Sequence, residues 1–440
     1  MERSVPKRIA ATVLNSLKGG VVPRIGLEYI TVGRTQEINA LLQDVEIIAE
    51  GGAAFRFIVG RYGSGKSFLL QTIRNHVMEK QFVVLDADLS PERRFSGAKG
   101  QGLATYKELI RNMSTRTKPD GGALGLILEK WISSIQSKAM QETQLTPSDP
   151  DFENEVTRRI FLVIHAMEDM VNGFDFGQAI ARYWQALRSG SDEEKSKVLR
   201  WFRGEYATKT QAHQALGINL TVTDENWYDF LKLYSAFFVQ AGYRGMLIMA
   251  DELVNIYRIP NRVTRQMNYE KILTIYNDTL QGKAKHIGVL MCATPQCLED
   301  SERGIFSYDA LRSRLTEGRF SSPGVRDLLA PIIRLEPLTY EELTVLCEKL
   351  SALHAGLYGY ANDITPEEYV GFFKAEFERV GASTHLTPRE VIRDFVELLN
   401  IVCQSPGKRI SDILREGGFT LTGTRQTEEG LHEEFASFEL

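Results

Sequence analysis

Residues 60–67, GRYGSGKS, place glycine, lysine and serine at the spacing of a phosphate-binding loop. The loop follows an apolar stretch that favours a strand and leads into an amphipathic stretch that favours a helix. Glycines let backbone N–H groups turn toward a phosphate, and a helix start adds partial positive charge. Lys66 would reach the β- and γ-phosphates, and the Ser67 hydroxyl would ligate Mg²⁺. The predicted cofactor contacts in this loop are Gly60, Tyr62, Gly63, Ser64, Gly65, Lys66, Ser67 and Phe68.

A dinucleotide-binding fingerprint is the competing interpretation of a glycine-rich loop between a strand and a helix. That fingerprint requires a third glycine for close packing of the helix on the strand. The position that this glycine would occupy holds Phe68. The sequence therefore predicts that the loop binds a nucleoside triphosphate.

Two adjacent acids follow a second apolar stretch, GMLIMADE, at residues 245–252. Hydrolysis of a bound triphosphate needs a carboxylate for Mg²⁺ and a group that activates water, both at the carboxyl end of a neighbouring strand. Asp251 would hold Mg²⁺ through water, and Glu252 would polarise the attacking water. The alternative is a strand that ends in two solvated acids. The phosphate loop in the same chain favours the catalytic interpretation.

Thr294 follows another wholly apolar run, at residues 287–293. A buried strand usually turns polar only where it ends, which leaves two interpretations of this residue. Thr294 either caps the end of the strand, or it positions the attacking water and senses the γ-phosphate.

Length and composition indicate a globular chain of more than one domain, because 440 residues exceed the size of a single core. A net charge of −5 means that contact with nucleic acid would need a local basic patch. No apolar run approaches the roughly 18 residues that span a bilayer. The four cysteines are sparse and are expected to be small core residues in a reducing compartment: Cys292, Cys297, Cys347 and Cys403. We therefore expect a soluble, cytoplasmic, mostly α/β protein.

Short apolar runs alternate with long helical stretches, the pattern of a parallel sheet covered by helices. Strands are expected at residues 55–59, 82–86, 246–250, 287–293 and 332–335. Helices are expected at residues 105–113, 124–137, 153–170, 177–188, 193–202, 227–241, 339–354, 366–380 and 387–403. The predicted domains are an N-terminal helical arm (1–26), a nucleotide-binding core (27–335) with a helical insertion at about 90–240, an α-helical domain (336–405) and an acidic flexible tail (406–440).

Together these motifs resemble the AAA+ ATPases, particularly the branch of initiator and origin-recognition ATPases. Val32, Gly33 and Arg34 begin a stretch similar to the VGR-x-x-E-I element, which in that family lines the adenine. The resemblance covers residues 27–403 and makes GRYGSGKS and MLIMADE the Walker A and Walker B motifs. It implies a P-loop NTPase (AAA+) fold of class α/β, with a five-stranded parallel sheet, a large helical insertion and a small all-α lid domain. It also implies ATP and Mg²⁺ as ligands.

Further arginines match positions at which this family carries catalytic arginines. In the stretch ALRSRL, Arg314 or, as second choice, Arg312 would be an arginine finger that acts on an adjacent subunit, which predicts a homo-oligomer. Arg389, in the stretch LTPRE, would be the second sensor of the lid. The alternative is that all three are exposed helix arginines, with the first two paired to Glu302 or Asp309.

More narrowly, LKGGVVPRIG followed by the VGR element resembles the ATP-binding proteins of prokaryotic BREX-type phage-defence loci. This resemblance implies a cytoplasmic ATPase that works beside other defence proteins. Two departures from the initiator pattern matter. The insertion is far longer than in an ordinary AAA+ core, which indicates a surface for a dedicated partner. The C-terminal stretch is too short for the winged-helix domain of initiators, which weakens a claim of direct duplex binding.

Three arginines, Arg258, Arg262 and Arg265, follow the predicted catalytic acids within eight residues. In AAA+ rings the corresponding loop often faces the central channel, so these side chains could contact a DNA backbone. A solvated loop is the alternative.

The leading hypothesis is an oligomeric Mg-dependent ATPase that moves or remodels DNA, or DNA-bound partners, in defence. The alternatives are a nucleotide-gated switch or scaffold with slow hydrolysis, and a nucleotide kinase, which the paired acids disfavour.

Overall fold

The computed structural model describes residues 5–316, 326–380, 387–405 and 407–416, which divide into two units. The larger unit consists of Thr35–Arg61 and Lys66–Leu335. The smaller unit consists of the described residues within Met1–Arg34, Tyr62–Gly65 and Glu336–Leu440. The tip of the phosphate loop is therefore grouped with the smaller unit, and the residues on either side of it with the larger one.

The larger unit is built on a five-stranded sheet in which every pair of neighbouring strands is parallel. The order across the sheet is β2-β3-β4-β1-β5. All five predicted strands are present, with each boundary within two residues of the prediction, which confirms the α/β class. The strands are β1 (Ala53–Val59), β2 (Phe82–Asp88), β3 (Gly245–Asp251), β4 (Ile287–Ala293) and β5 (Ile332–Arg334).

Helices make up most of the remaining described residues. In chain order they are α1 (Lys7–Lys18), α2 (Thr35–Ala49), α3 (Lys66–Glu79), α4 (Gln101–Arg111), α5 (Leu124–Thr143), α6 (Pro150–His165), α7 (Gly173–Arg188), α8 (Asp192–Phe202), α9 (Lys209–Leu216), α10 (Trp227–Gln240), α11 (Val254–Tyr257), α12 (Arg262–Leu280), α13 (Pro295–Glu299), α14 (Asp309–Leu315), α15 (Tyr340–Tyr358), α16 (Pro366–Val380), α17 (Pro388–Gln404) and α18 (Ile410–Glu416). None of the described helices combines the length and the apolar character required to span a membrane.

The sheet is covered by helices on both faces, as expected for strands that carry apolar side chains on both faces. Along β1, Phe55 and Phe57 face the core shared with α4–α10 and α12, whereas Ile58 faces the core shared with α2 and α3. The helices α4–α10 form the long insertion between β2 and β3, and their buried side chains are rich in aromatic rings. The edge-to-face contact between Trp131 and Phe237, with ring centroids 5.1 Å apart, is one example.

The smaller unit consists mainly of helices. Within it, α1 packs against α15 and α17, and α16 packs against α18. The helices α15 and α17 both begin with a capping box, in which a threonine and a glutamate three positions later satisfy each other's backbone N–H groups. Part of the segment expected to be a flexible tail forms α18 instead. Residues 417–440 lie outside the described part of the chain.

The region after β3 differs from the prediction. The sequence-based interpretation places a loop there, either in contact with DNA or solvated, but the chain forms the short helix α11 and then the long helix α12. The periodicity of α12 is weak because its buried residues include polar and charged side chains, among them Arg265, Asn268 and Asp278. A helix whose buried face is partly polar lacks the apolar stripe on which a sequence-based assignment depends.

Candidate active site

The predicted chemistry in the larger unit lies at one edge of the sheet. The strand β4 pairs with both β1 and β3, so the carboxyl ends of all three strands lie side by side. The Gly60 N–H at the start of the phosphate loop donates to the Ala293 carbonyl at the end of β4 over 3.1 Å. In an open parallel sheet, ligands bind at the carboxyl ends of the strands. The phosphate loop, the paired acids and Thr294 all leave the sheet at this edge.

Lys66 is the first residue of α3, and its ammonium group is held at the phosphate loop. The Nζ atom donates to the Gly60 carbonyl over 2.8 Å and to the Arg61 carbonyl over 2.9 Å. These bonds fix the cation of the side chain beside the backbone of the loop. Phe68, two residues further along α3, is half-buried.

Ser67 and Asp251 are brought into direct contact although they are 184 residues apart in sequence. The Ser67 hydroxyl donates to Asp251 Oδ2 over 2.7 Å. A hydroxyl and a carboxylate are oxygen ligands of the kind that Mg²⁺ prefers, and Mg²⁺ usually takes only one or two such protein ligands together with phosphate oxygens and water. The described residues contain no cluster of three or more His, Cys, Asp or Glu that could hold a metal ion by themselves. This donor set therefore fits Mg²⁺ bound together with a nucleotide.

Glu252 has an unusual backbone conformation. Its φ angle is 60°, in the left-handed region, and its N–H donates to Asp251 Oδ1 over 2.7 Å. Burial raises the pKa of the Glu252 carboxyl, and the charge of Asp251 raises it further, while the ammonium group of Lys66 lowers it. A carboxylate with a raised pKa is a stronger base, which suits proton abstraction from water.

Asp88 is a third carboxylate at this edge, and the sequence-based prediction lacks it. It is the last residue of β2 and lies opposite Asp251 in the register of β2 and β3. The Asp88 side chain reaches solvent, yet the atoms packed around it and the charge of Asp251 raise the pKa of its carboxyl. Asp88 was missed because the predicted strand ends at residue 86. The signal that could have identified it is an acid at the end of an apolar strand, the same signal that identifies Asp251.

Thr294 forms the N-cap of α13. Its Oγ1 atom accepts a hydrogen bond from the Cys297 N–H over 3.2 Å, and Pro295 occupies the first position of the helix. This contact is the strand-end cap that was one of the two interpretations of the sequence. The hydroxyl proton can still donate to a second acceptor, so the cap is compatible with the sensor role as well.

In the smaller unit, the VGR element contacts the tip of the phosphate loop. Arg34 is buried, and its Nη2 atom donates to the Ser64 carbonyl over 3.2 Å and to the Glu336 carbonyl over 2.8 Å. Gly33 has a φ of 69°, and a Cβ atom there would lie 2.5 Å from a carboxylate oxygen of Glu342. The Arg34 side chain therefore holds the backbone of the loop. Gly33 lies against Glu342 in the first turn of α15, and Val32 is half-buried.

Arg389 also lies at the tip of the loop. Its guanidinium carbon is 5.4 Å from the centroid of the Tyr62 ring. Thr387, two residues earlier, lies against Gly63. The predicted second sensor and two residues of the phosphate loop are thus neighbours within the smaller unit.

The two arginines proposed as a finger lie on the seven-residue helix α14 of the larger unit, and both are exposed. Arg314 Nη1 donates to the Ala310 carbonyl of its own helix over 2.7 Å. Arg312 forms an ion pair with Asp309 over 2.8 Å, which is one of the pairings considered from the sequence.

The three arginines after the acids do not share one environment. Arg258 and Arg262 are exposed, whereas Arg265 is 5% exposed and donates to the Ile259 carbonyl over 2.7 Å. The expectation that Arg265 could contact a DNA backbone is therefore wrong, because its guanidinium is used to hold the turn between α11 and α12. Only Arg258 and Arg262 of this group reach the surface.

One protein-family model, described as "BREX system ATP-binding protein BrxC/D", matches residues 5–417 of the chain. No curated protein matches the chain.

Proposed function

Because the chain belongs to the family of BREX system ATP-binding proteins BrxC/D, we propose that it binds MgATP at the phosphate loop and hydrolyses it in phage defence. The observation that carries this proposal is the 2.7 Å hydrogen bond between Ser67 and Asp251. It joins the hydroxyl of the phosphate loop to the acid at the end of β3, at the edge where Lys66 and Glu252 also lie. An ATP-binding protein that only holds its nucleotide does not need a base at this place.

Each residue of this group has a role that follows from its chemistry. The Lys66 ammonium binds phosphate oxygens, and Ser67 and Asp251 hold Mg²⁺, which when bound neutralises charge on the phosphates. Glu252 accepts a proton from the attacking water. In this proposal the Thr294 hydroxyl orients that water while its oxygen caps α13.

Two substitutions test binding and hydrolysis separately. Lys66→Ala is expected to abolish ATP binding, because it removes the cation at the loop. Glu252→Gln is expected to retain ATP but to lose at least a hundredfold in turnover, the usual range for a general base. Lys99→Ala, which removes an exposed lysine elsewhere, is the control and should change neither quantity. Fluorescent-ATP titration and phosphate release are the measurements, and wild-type turnover by Glu252→Gln would refute the assignment of the base.

A nucleotide-gated switch with slow hydrolysis is the second candidate, and one observation favours it. The Thr294 oxygen already accepts a backbone hydrogen bond, which leaves this hydroxyl less freedom to orient a water molecule. Steady-state turnover separates the candidates. A motor or remodeller is expected to show a turnover that rises when its substrate is added, whereas a switch would remain slow under all conditions.

The substrate of the motor is proposed to be DNA or a DNA-bound partner. The exposed Arg258 and Arg262, which follow the catalytic acids, are the residues that would contact a phosphate backbone. We expect DNA to raise the turnover of the wild-type protein, and the Arg258→Ala/Arg262→Ala variant to lose this response. Because phosphate contacts are screened by salt, the response should also fall as the ionic strength rises. A response that is insensitive to both changes would contradict direct DNA contact.

A further inference from the structure

Gly63, at the tip of the phosphate loop, is in close contact with the start of α17. A Cβ atom built on Gly63 would lie 2.8 Å from Thr387 Oγ1 and 3.4 Å from Arg389 Cβ. The first of these distances is below the 3.0 Å that Cβ atoms in proteins normally keep, and the φ of Gly63 is 75°. Glycine at this position therefore lets the start of α17 approach the backbone of the loop.

The backbone around Arg389 is fixed by the capping box of α17. Thr387 Oγ1 accepts from the Glu390 N–H over 3.4 Å, and the Glu390 carboxylate accepts from the Thr387 N–H over 3.1 Å. Pro388 supplies a φ suited to the first helical position. Because the backbone of Arg389 is fixed, the position of its guanidinium depends only on the rotamer of its side chain.

The Tyr62 ring provides a surface for that side chain. The guanidinium carbon of Arg389 lies 5.4 Å from the ring centroid, within the range of a cation–π contact. The Tyr62 side chain is 61% exposed. Tyr62 occupies a variable position of the loop motif, so phosphate binding by the backbone does not require an aromatic residue there. Phosphate binding by the backbone therefore does not account for the contact between the Tyr62 ring and Arg389.

We propose that Tyr62 is a positioning residue for Arg389. This inference rests on the proposed function, in which the loop holds the phosphates of ATP, and on the sequence-based prediction that Arg389 senses them. An unrestrained arginine side chain populates many rotamers and loses that freedom when it binds a phosphate. Contact with the Tyr62 ring keeps the guanidinium beside the loop and reduces this loss. Tyr62 thus acts on turnover through Arg389 and not through its own contact with the nucleotide.

The first test is a double-mutant cycle on ATP turnover. Tyr62→Ala is expected to lower kcat about two- to fivefold, the size of one exposed cation–π contact. Tyr62→Phe, which keeps the ring face, should recover most of the loss. In an Arg389→Ala background, Tyr62→Ala should cause no further decrease. Phe174→Ala, which removes a 58% exposed aromatic ring of the insertion, is the matched control.

The second readout needs no nucleotide. The same cycle on the free energy of unfolding, from urea titration without ATP, should show a favourable coupling between Tyr62 and Arg389. Additive effects in both cycles, or a Tyr62→Phe variant that behaves like Tyr62→Ala, would overturn the inference. If Arg389→Ala turns over ATP at the wild-type rate, the predicted sensor role of Arg389 fails, whereas ATP binding and hydrolysis at the loop still stand. The unfolding cycle then decides by itself whether Tyr62 holds Arg389, and a coupling of zero overturns that claim too.

Discussion

Glu252 adopts a backbone conformation that a residue with a side chain rarely takes. Its φ of 60° places Cβ close to the following carbonyl, which costs about 1–2 kcal/mol for a residue other than glycine. Strained residues of this kind concentrate at functional sites, where the surrounding structure enforces them. Two hydrogen bonds hold Glu252 in this conformation. Its N–H donates to Asp251 Oδ1, and its carbonyl accepts from the Asn255 N–H over 3.0 Å.

The backbone strain at Glu252 can be measured by comparing two substitutions that both remove the carboxylate. Glu252→Gly relieves the strain, whereas Glu252→Ala keeps it. We expect the glycine variant to be more stable than the alanine variant by about 1 kcal/mol, although glycine is usually the less stable choice. Urea unfolding without nucleotide gives both values. Equal stability, or a more stable alanine variant, would show that the left-handed conformation is not strained.

The residues of the candidate site differ in how far the sequence could predict them. Lys66 and Ser67 belong to one contiguous motif, and Asp251 ends an apolar strand, so local spacing is sufficient to propose these three. Asp88 is absent from the prediction because the predicted strand ends at residue 86, and its place opposite Asp251 follows only from the strand register. The contact of Tyr62 with Arg389 joins residues far apart in sequence, and no spacing rule could indicate it.

At the scale of elements, the strands were predictable because the buried sheet requires runs of apolar residues. The helix α12 was not, because it buries polar side chains. Asn268 on α12 is fully buried, and its amide makes four hydrogen bonds. The Oδ1 atom accepts from the Phe95 and Ser96 N–H groups, and Nδ2 donates to the Ser96 and Thr264 carbonyls. A residue so fully bonded belongs to the core, although its type alone indicates a surface position.

The smaller unit contains a buried histidine between two of its helices. His354 of α15 is 1% exposed, with Nδ1 lying 2.8 Å from the Tyr360 hydroxyl and Nε2 lying 3.3 Å from Asn400 Oδ1 on α17. A neutral imidazole satisfies both contacts, accepting from the tyrosine and donating to the asparagine. Burial lowers the pKa of His354 below its ordinary value, and the bond to Asn400 opposes this only partly.

This lowered pKa makes stability depend on pH. As the pH falls through about 6.5, His354 takes up a proton in the unfolded chain but not in the folded one. The free energy of unfolding should therefore decrease between pH 7.5 and pH 5.5, and the decrease should stop below the folded pKa. His354→Gln removes the titrating group and is expected to flatten the pH dependence of urea unfolding. The same slope in both proteins would contradict this account.

At the scale of the whole molecule, the pairing of strands is dominated by long-range connections. The neighbours β2 and β3 are separated by residues 89–244, which carry seven helices, although a parallel crossover needs only about a dozen residues. The sequence indicated these helices through their apolar periodicity. The order of the strands could not be derived from periodicity, because each strand is apolar on both faces and could pair with any other.

The charge balance of a triphosphate bound at the loop bears on whether the protein acts as an oligomer. Lys66 and Mg²⁺ together do not neutralise a bound triphosphate, and charge on the transferred phosphoryl group must still be stabilised. We propose that the exposed Arg314 of a second subunit supplies this charge. Each interface then has two halves, one subunit that supplies the base and a neighbour that supplies the arginine. Glu252→Gln damages the first half, and Arg314→Ala damages the second. A subunit with an intact Glu252 can use the arginine of a neighbour that lacks the base.

Mixing these two inactive variants is therefore expected to restore part of the wild-type turnover. Arg314→Ala subunits keep the base, and Glu252→Gln subunits keep the finger, so hybrid interfaces contain one complete site. The matched control mixes Lys66→Ala with Glu252→Gln subunits. Both of its lesions affect the same half of the interface, so no complete site can form. Phosphate release from mixtures at several ratios is the measurement. If both mixtures stay inactive while the variants fold and associate, Arg314 does not act on a neighbouring subunit.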